Sequence, residues 1–177
     1  RADFEERLSH VAQLRRAVLP DAGHMLHHDQ AQALATLLED FLAEVLADLG
    51  PTADGTPALD CDFRETAGVG TWAFDAYQVK FVLLDALRNA RRHAVSRVGF
   101  RFGQEPGGGI RFTVADDGPG YSPAVLAGGR PGMAEDSSGL GLAFARLIAS
   151  RHTTPDGRHG RIELANENGA RFGLVLP

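Results

Sequence analysis

From Asp3 to about Leu19 the apolar residues Phe4, Leu8, Val11, Leu14 and Val18 recur at spacings of three and four, the period of an amphipathic helix. Pro20-Asp21-Ala22-Gly23 interrupts the pattern. A second helix is predicted from about Asp21 to Leu49, with Leu34, Leu37, Leu38, Phe41, Val45, Leu46 and Leu49 as its stripe, and Gly50-Pro51 stops it. Two such helices joined by a short turn make a hairpin. Its apolar stripe is wider than a hairpin alone can bury, so the rest of the chain or a second copy must cover it.

The pattern changes after "GPTADGTPA", a linker by composition. "LDCDFRE" alternates as a strand does, and "GTWAF" can form a short second one. Asp75 then caps a long helix through Ala94. "RVGFRF", "GIRFTVAD" and "ARFGLVLP" read as further strands, with Gly107-Gly108-Gly109 as a hairpin turn and "GLGLAFARLIASRH" as another helix. The order ββα, ββ, α, ββ predicts an α+β fold, a two-layer α/β sandwich in which helices cover one face of a mixed sheet. The expected units are a helical hairpin over residues 1–50, a linker at 51–58 and the sandwich domain at 59–177.

Composition narrows the class. Hydrophobic residues make up 44% and charged residues 23%, as in an ordinary globular protein, and the net charge of -5 gives no positive field to gather nucleic acid. Lys80 is the only lysine among the 18 basic residues. The single cysteine, Cys61, permits no internal disulfide and no zinc set, which suits a reducing cytoplasm. No apolar run approaches the roughly 20 residues that cross a bilayer. The chain opens inside a helical pattern without Met, so it is expected to continue upstream, and any membrane contact is expected only through such a segment.

The candidate chemistry begins on the helix of "LLDALRNARRHA". At about 100° per residue Asp85, Asn89 and Arg92 fall within roughly 60° of one another, with His93 beside them, while Leu83, Ala86, Leu87 and Ala90 cover the opposite side. A carboxylate, an amide and a guanidinium in a row can hold a hydrated divalent cation and the phosphates it neutralises. Alone, the row fits a partly solvated hydrogen-bond ladder at least as well. "VADDGPGY" places Asp116 and Asp117 at a strand end before Gly118, Pro119 and Gly120, either an ordinary turn or a carboxylate beside a slot for a flat ring. In "SSGLGLAFARLIA", Gly139 and Gly141 sit at a helix start, where free N–H groups favour phosphate. The dinucleotide fingerprint and the P-loop spacing are both absent.

Taken together and in this order, residues 57–177 resemble the ATP-binding catalytic domain of sensor histidine kinases, a branch of the superfamily that includes gyrase, the Hsp90 chaperones and MutL. "DALRNARRHA" is similar to that family's asparagine box, "DDGPG" to its first glycine box, "GLGL" to its second, and "GRIELANENGARFGLVLP" to its closing strands. The resemblance implies ATP and Mg²⁺. Asn89 would be the metal ligand, and Asp85, where the family usually has Glu, would polarise a metal-bound water or the attacking group. Arg92 and His93 would contact phosphates; Asp116 would recognise the adenine amine. Gly118 and Gly120 would keep the base slot open, and Gly139, Leu140 and Gly141 would contact phosphate through the backbone. Between Tyr121 and Ser138 the lid is short and Gly-rich, and Ala170 follows Gly169 where the family often has Thr.

In that family a helical hairpin precedes the domain, pairs with a second chain as a four-helix bundle and presents the phosphoaccepting histidine. The resemblance therefore implies a homodimer, a response-regulator receiver domain as partner and a cytoplasmic location. The usual signature around the histidine is absent. His10, His24, His27 and His28 each fit a surface or packing histidine better than the acceptor, which is expected upstream of Arg1 or to be non-standard; within the chain His10 is the first choice and His28, followed by Asp29, the second. The activity implied is ATP-dependent protein histidine kinase. The alternative is a histidine phosphotransferase or dimerisation scaffold with a vestigial ATPase-like domain; a serine kinase of the anti-sigma type is disfavoured by the hairpin.

Overall fold

The computed structural model describes residues 31–50, 55–62, 74–105, 108–128 and 140–177, with only the backbone for 31–38. The described elements are α1 (Ala31–Leu49), β1 (Ala58–Asp62), α2 (Ala76–His93), β2 (Arg97–Glu105), β3 (Gly109–Asp116), α3 (Pro123–Leu126), α4 (Leu140–Arg151), β4 (Arg161–Asn166) and β5 (Ala170–Leu176). The predicted helix at residues 3–19, most of the "GTWAF" strand, His10, His28 and Gly139 lie outside the described residues.

The strands form one sheet in the order β1-β2-β3-β5-β4. β1 runs parallel to β2 and every other pair is antiparallel, so the sheet is mixed, as expected. Side-chain alternation then fixes a dry face. Val98, Phe100 and Phe102 of β2, Ile110, Phe112 and Val114 of β3, and Phe172, Leu174 and Leu176 of β5 are all buried. Register stacks them in rows, Phe102 opposite Phe112 and Phe112 opposite Leu174. Each such side chain contributes about 1.5–3 kcal/mol on leaving water, which makes this layer the main source of stability.

α2 covers that layer with Val79, Val82, Leu83, Leu87 and Ala90, and α4 adds Ala145 and Ala149. Asp75 starts α2 by accepting the Gln78 N–H at 3.0 Å. The Asp75 N–H in turn donates to His152 Nε2 at 3.1 Å, while His152 Nδ1 lies 2.9 Å from the Ile148 carbonyl. With Nε2 accepting, Nδ1 must carry the proton and donate. His152 thus ties the end of α4 to the start of α2, and the two helices run antiparallel.

α1 joins the same core. Leu42 and Val45 are buried. Phe41 packs edge-on against Phe74 at 5.3 Å and Phe112 at 6.2 Å. Lys80 on α2 reaches Glu44 at 2.7 Å and Asp48 at 2.8 Å, one turn apart on α1. The opposite sheet face is polar: Arg111 pairs with Glu105 and with Glu163 at 2.9 Å, and Arg161 with Glu163 at 2.8 Å.

Candidate functional site

α2 buries Leu83, Leu87 and Ala90 against the sheet, so its helical period sends Asp85 and Asn89 to the other side. Asn89 Nδ2 donates to Asp85 Oδ2 at 3.2 Å. This is the ladder expected from the sequence, but a second element closes on it. A Cβ built on Gly141, in the first turn of α4, would overlap Asp85 Oδ2. The glycine therefore lets the α4 backbone rest against the carboxylate. Burial pushes the Asp85 carboxyl above its usual range, opposed by the Arg88 charge and by the Asn89 hydrogen bond.

The turn after β3 supplies the second part. Asp116 Oδ1 accepts the Gly118 N–H at 2.8 Å and the Ala170 N–H at 3.2 Å. These two donors orient the carboxylate by one oxygen and leave Oδ2 as an acceptor, without a hydrogen bond among the described residues. Any side chain on Gly118 would overlap the His93 carbonyl, and one on Gly169 would overlap the Asp116 carbonyl. The end of α2, the Asp116–Gly120 turn and the β4–β5 turn are consequently in mutual contact.

Asp117 does different work from its neighbour. It accepts the N–H groups of Val95, Ser96 and Arg97 at 2.9, 3.0 and 3.1 Å and the Ser96 hydroxyl at 2.5 Å. The Ser96 hydroxyl and then the backbone N–H groups hold its carboxyl well below the usual range. It fastens the α2–β2 turn beneath the glycine turn. Beyond that turn, Tyr121 N–H and carbonyl are both bonded by the Asn166 side chain.

Asp85 and His93 stand eight residues apart on α2, about 12 Å of helix. Gly141 touches one end and Gly118 the other. One surface thus brings together a carboxylate, an amide, a helix N-terminus and an acceptor beside a glycine turn. Arg92 and His93 have exposed side chains at its Asp116 end, and exposed Leu140 begins α4.

Residues 74–177 match the family of histidine kinase-, DNA gyrase B- and HSP90-like ATPases. The chain belongs to that family. Among solved structures, this ATPase domain is similar to the mycobacterial sensor histidine kinase MprB, at 23% identity and TM-score 0.58 over 79% of this chain and 93% of that one. The histidine kinase domain of the E. coli osmosensor EnvZ gives 23% identity and TM-score 0.56 over 79% and 85%. Full-length ShkA in complex with AMPPNP gives 22% and 0.54 over 82% of this chain. The chain spans 29% of the length of ShkA. These likenesses are of fold. Comparison with curated proteins finds no significant match.

Sequence reasoning missed Asn166, the Ala170 N–H as a donor to Asp116, Asp117 as a turn clamp, and His152 as the link between the helices. Asp117 had a local signal, since a second acid before Gly-Pro-Gly is free to bond outward. Asn166 and His152 had none, because their partners lie 45 and 77 residues away.

Proposed function

We propose that this chain is the catalytic portion of an ATP-dependent protein histidine kinase of a two-component system. It takes Mg²⁺·ATP along α2, moves the γ-phosphoryl group to an imidazole nitrogen, and passes it to a response-regulator aspartate. The observation that carries this reading is the pair of glycine contacts on α2, Gly141 against Asp85 and Gly118 against His93. They hold a helix N-terminus and a glycine turn about 12 Å apart along α2, a spacing that would suit the phosphates and the base of one nucleotide. The solved ShkA complex contains AMPPNP, an adenine nucleotide, which supports the same choice of ligand.

Asp116 Oδ2 would accept the adenine amine, with Gly118 and Gly120 leaving room for the ring. The backbone at Gly139, Leu140 and Gly141, together with Arg92 and His93, would contact the phosphates. Asn89 fits a hard cation: Nδ2 is engaged with Asp85, so Oδ1 remains an oxygen donor at the surface. A Mg²⁺ ion held there would neutralise phosphate charge. Asp85 would then lie beside the terminal phosphate, where a carboxylate can orient the attacking group, and catalysis would be mostly positioning.

Residues 1–50 would form the dimerising hairpin, with 51–58 as linker and 59–177 as the ATP-binding unit, and His10, or else His28, would accept the phosphoryl group. No helix among the described residues is long and apolar enough to cross a membrane. The kinase would work in the cytoplasm, where ATP is. Calorimetry with ATP, with and without Mg²⁺, tests the reading. Labelling with γ-phosphate-labelled ATP should then give an acid-labile phosphohistidine. Uptake without phosphohistidine would favour the phosphotransfer or dimerisation scaffold; no uptake would end the nucleotide reading.

A further inference from the structure

Asn166 closes β4, and its side chain reaches a loop 45 residues earlier. Oδ1 accepts the Tyr121 N–H at 2.8 Å, and Nδ2 donates to the Tyr121 carbonyl at 2.9 Å. A primary amide offers one donor and one acceptor side by side, so it matches both polar groups of a single backbone residue. Gly120 makes room for it. At φ +80° a Cβ there would stand 2.7 Å from Asn166 Cγ and Oδ1 and 2.9 Å from Nδ2.

Across the hairpin, Asn166 is paired in register with Ala170, whose N–H goes to Asp116 Oδ1. One hairpin therefore fixes both ends of the 116–121 turn, Ala170 at its entry and Asn166 at its exit. Tyr121 is half-buried, and its phenol is pushed up to about 12, first by burial and then by the Asp116 charge. The ring thus shares the surroundings of the carboxylate that faces the base.

Building on the nucleotide reading above, we propose that Asn166 is a positioning residue for base selection. It touches no nucleotide. By holding Tyr121 and Gly120 it sets the width of the slot beside Asp116. Asp116 accepts from the adenine amine and repels the guanine carbonyl, so discrimination depends on how firmly that slot is held.

The test uses Asn166→Ala and Asn166→Asp in the full 177-residue chain, with ATP and GTP affinities and the melting temperature without nucleotide. Asn166→Asp keeps an acceptor for the Tyr121 N–H but sets an anion against its carbonyl, so it should behave like the alanine variant. Both should bind ATP about tenfold more weakly, the value of one or two hydrogen bonds. Their preference for ATP over GTP should shrink, and melting should stay close to that of the parent because Asn166 is exposed. Unchanged affinity and preference would overturn the proposal. So would equal losses for both nucleotides with a lowered melting temperature, the mark of a merely structural role. Absence of ATP uptake by the unsubstituted chain would instead overturn the nucleotide reading on which the role rests.

Discussion

The carboxylate of Asp85 occupies the space that a side chain on Gly141 would need. The two residues are 56 positions apart in sequence, on antiparallel helices, and their contact brings the start of α4 against the polar face of α2.

Gly141→Ala sets two effects against each other. Alanine favours a helix by about 0.8–1.0 kcal/mol over glycine, while the new methyl must displace Asp85 from Asn89, an overpacking cost of about 1–3 kcal/mol. Stability should change little. ATP affinity should fall at least about tenfold, read by calorimetry beside a denaturant melt.

Asp85 makes the pH dependence of activity specific. Its folded carboxyl lies above the unfolded value because of burial, so its contribution to stability is present in acid below the unfolded value and lost as pH rises through the folded one. In the proposed role activity would run the opposite way, since an ionised carboxylate would orient the attacking group. The pH–rate profile should show an acid limb above the ordinary carboxylate range. Asp85→Asn should remove that limb and lower the rate about a hundredfold or more while retaining ATP binding.

Asp117 has the reverse sign. Its folded carboxyl is held low, so its stabilisation is present above the unfolded value and lost as pH falls through the folded value. Asp117→Asn should lower the melting temperature at neutral pH and flatten the acid side of the melting curve, because an amide replaces only part of the four-donor clamp. Scanning calorimetry across the acid range measures both.

α1 should be held by packing more than by charge. Leu42→Ala removes a fully buried side chain and should cost about 2–5 kcal/mol in a denaturant melt. Lys80 and its partners Glu44 and Asp48 keep 18%, 28% and 47% side-chain exposure. Lys80→Met should therefore cost under about 1 kcal/mol, with the difference shrinking further in high salt.

Where structure was local, it was legible. The i, i+4 pair Asp85/Asn89, the cap at Asp75 and the alternation of β2, β3 and β5 all follow from residues close in sequence, and the structure contains them. The parallel pairing of β1 with β2 and the insertion of β5 between β3 and β4 were not legible, because periodicity says which face is dry and not which strand is the neighbour. The site shows the same limit. Asp116 was marked by its glycine turn, and the Gly118 donor lies within that turn, but the second donor is the Ala170 backbone N–H, 54 residues away, which no side-chain pattern announces.

The position of β5 also governs when the cleft can exist. It is the latest described strand in sequence, yet it sits between β3 and β4. During translation, residues 76–166 can emerge with their helices and hairpin pairings begun, but the middle of the sheet stays unfilled until Leu176 leaves the ribosome. Until then Asp116 lacks the Ala170 amide, so a nascent chain halted before that strand should lack the oriented carboxylate on which the proposed purine contact rests.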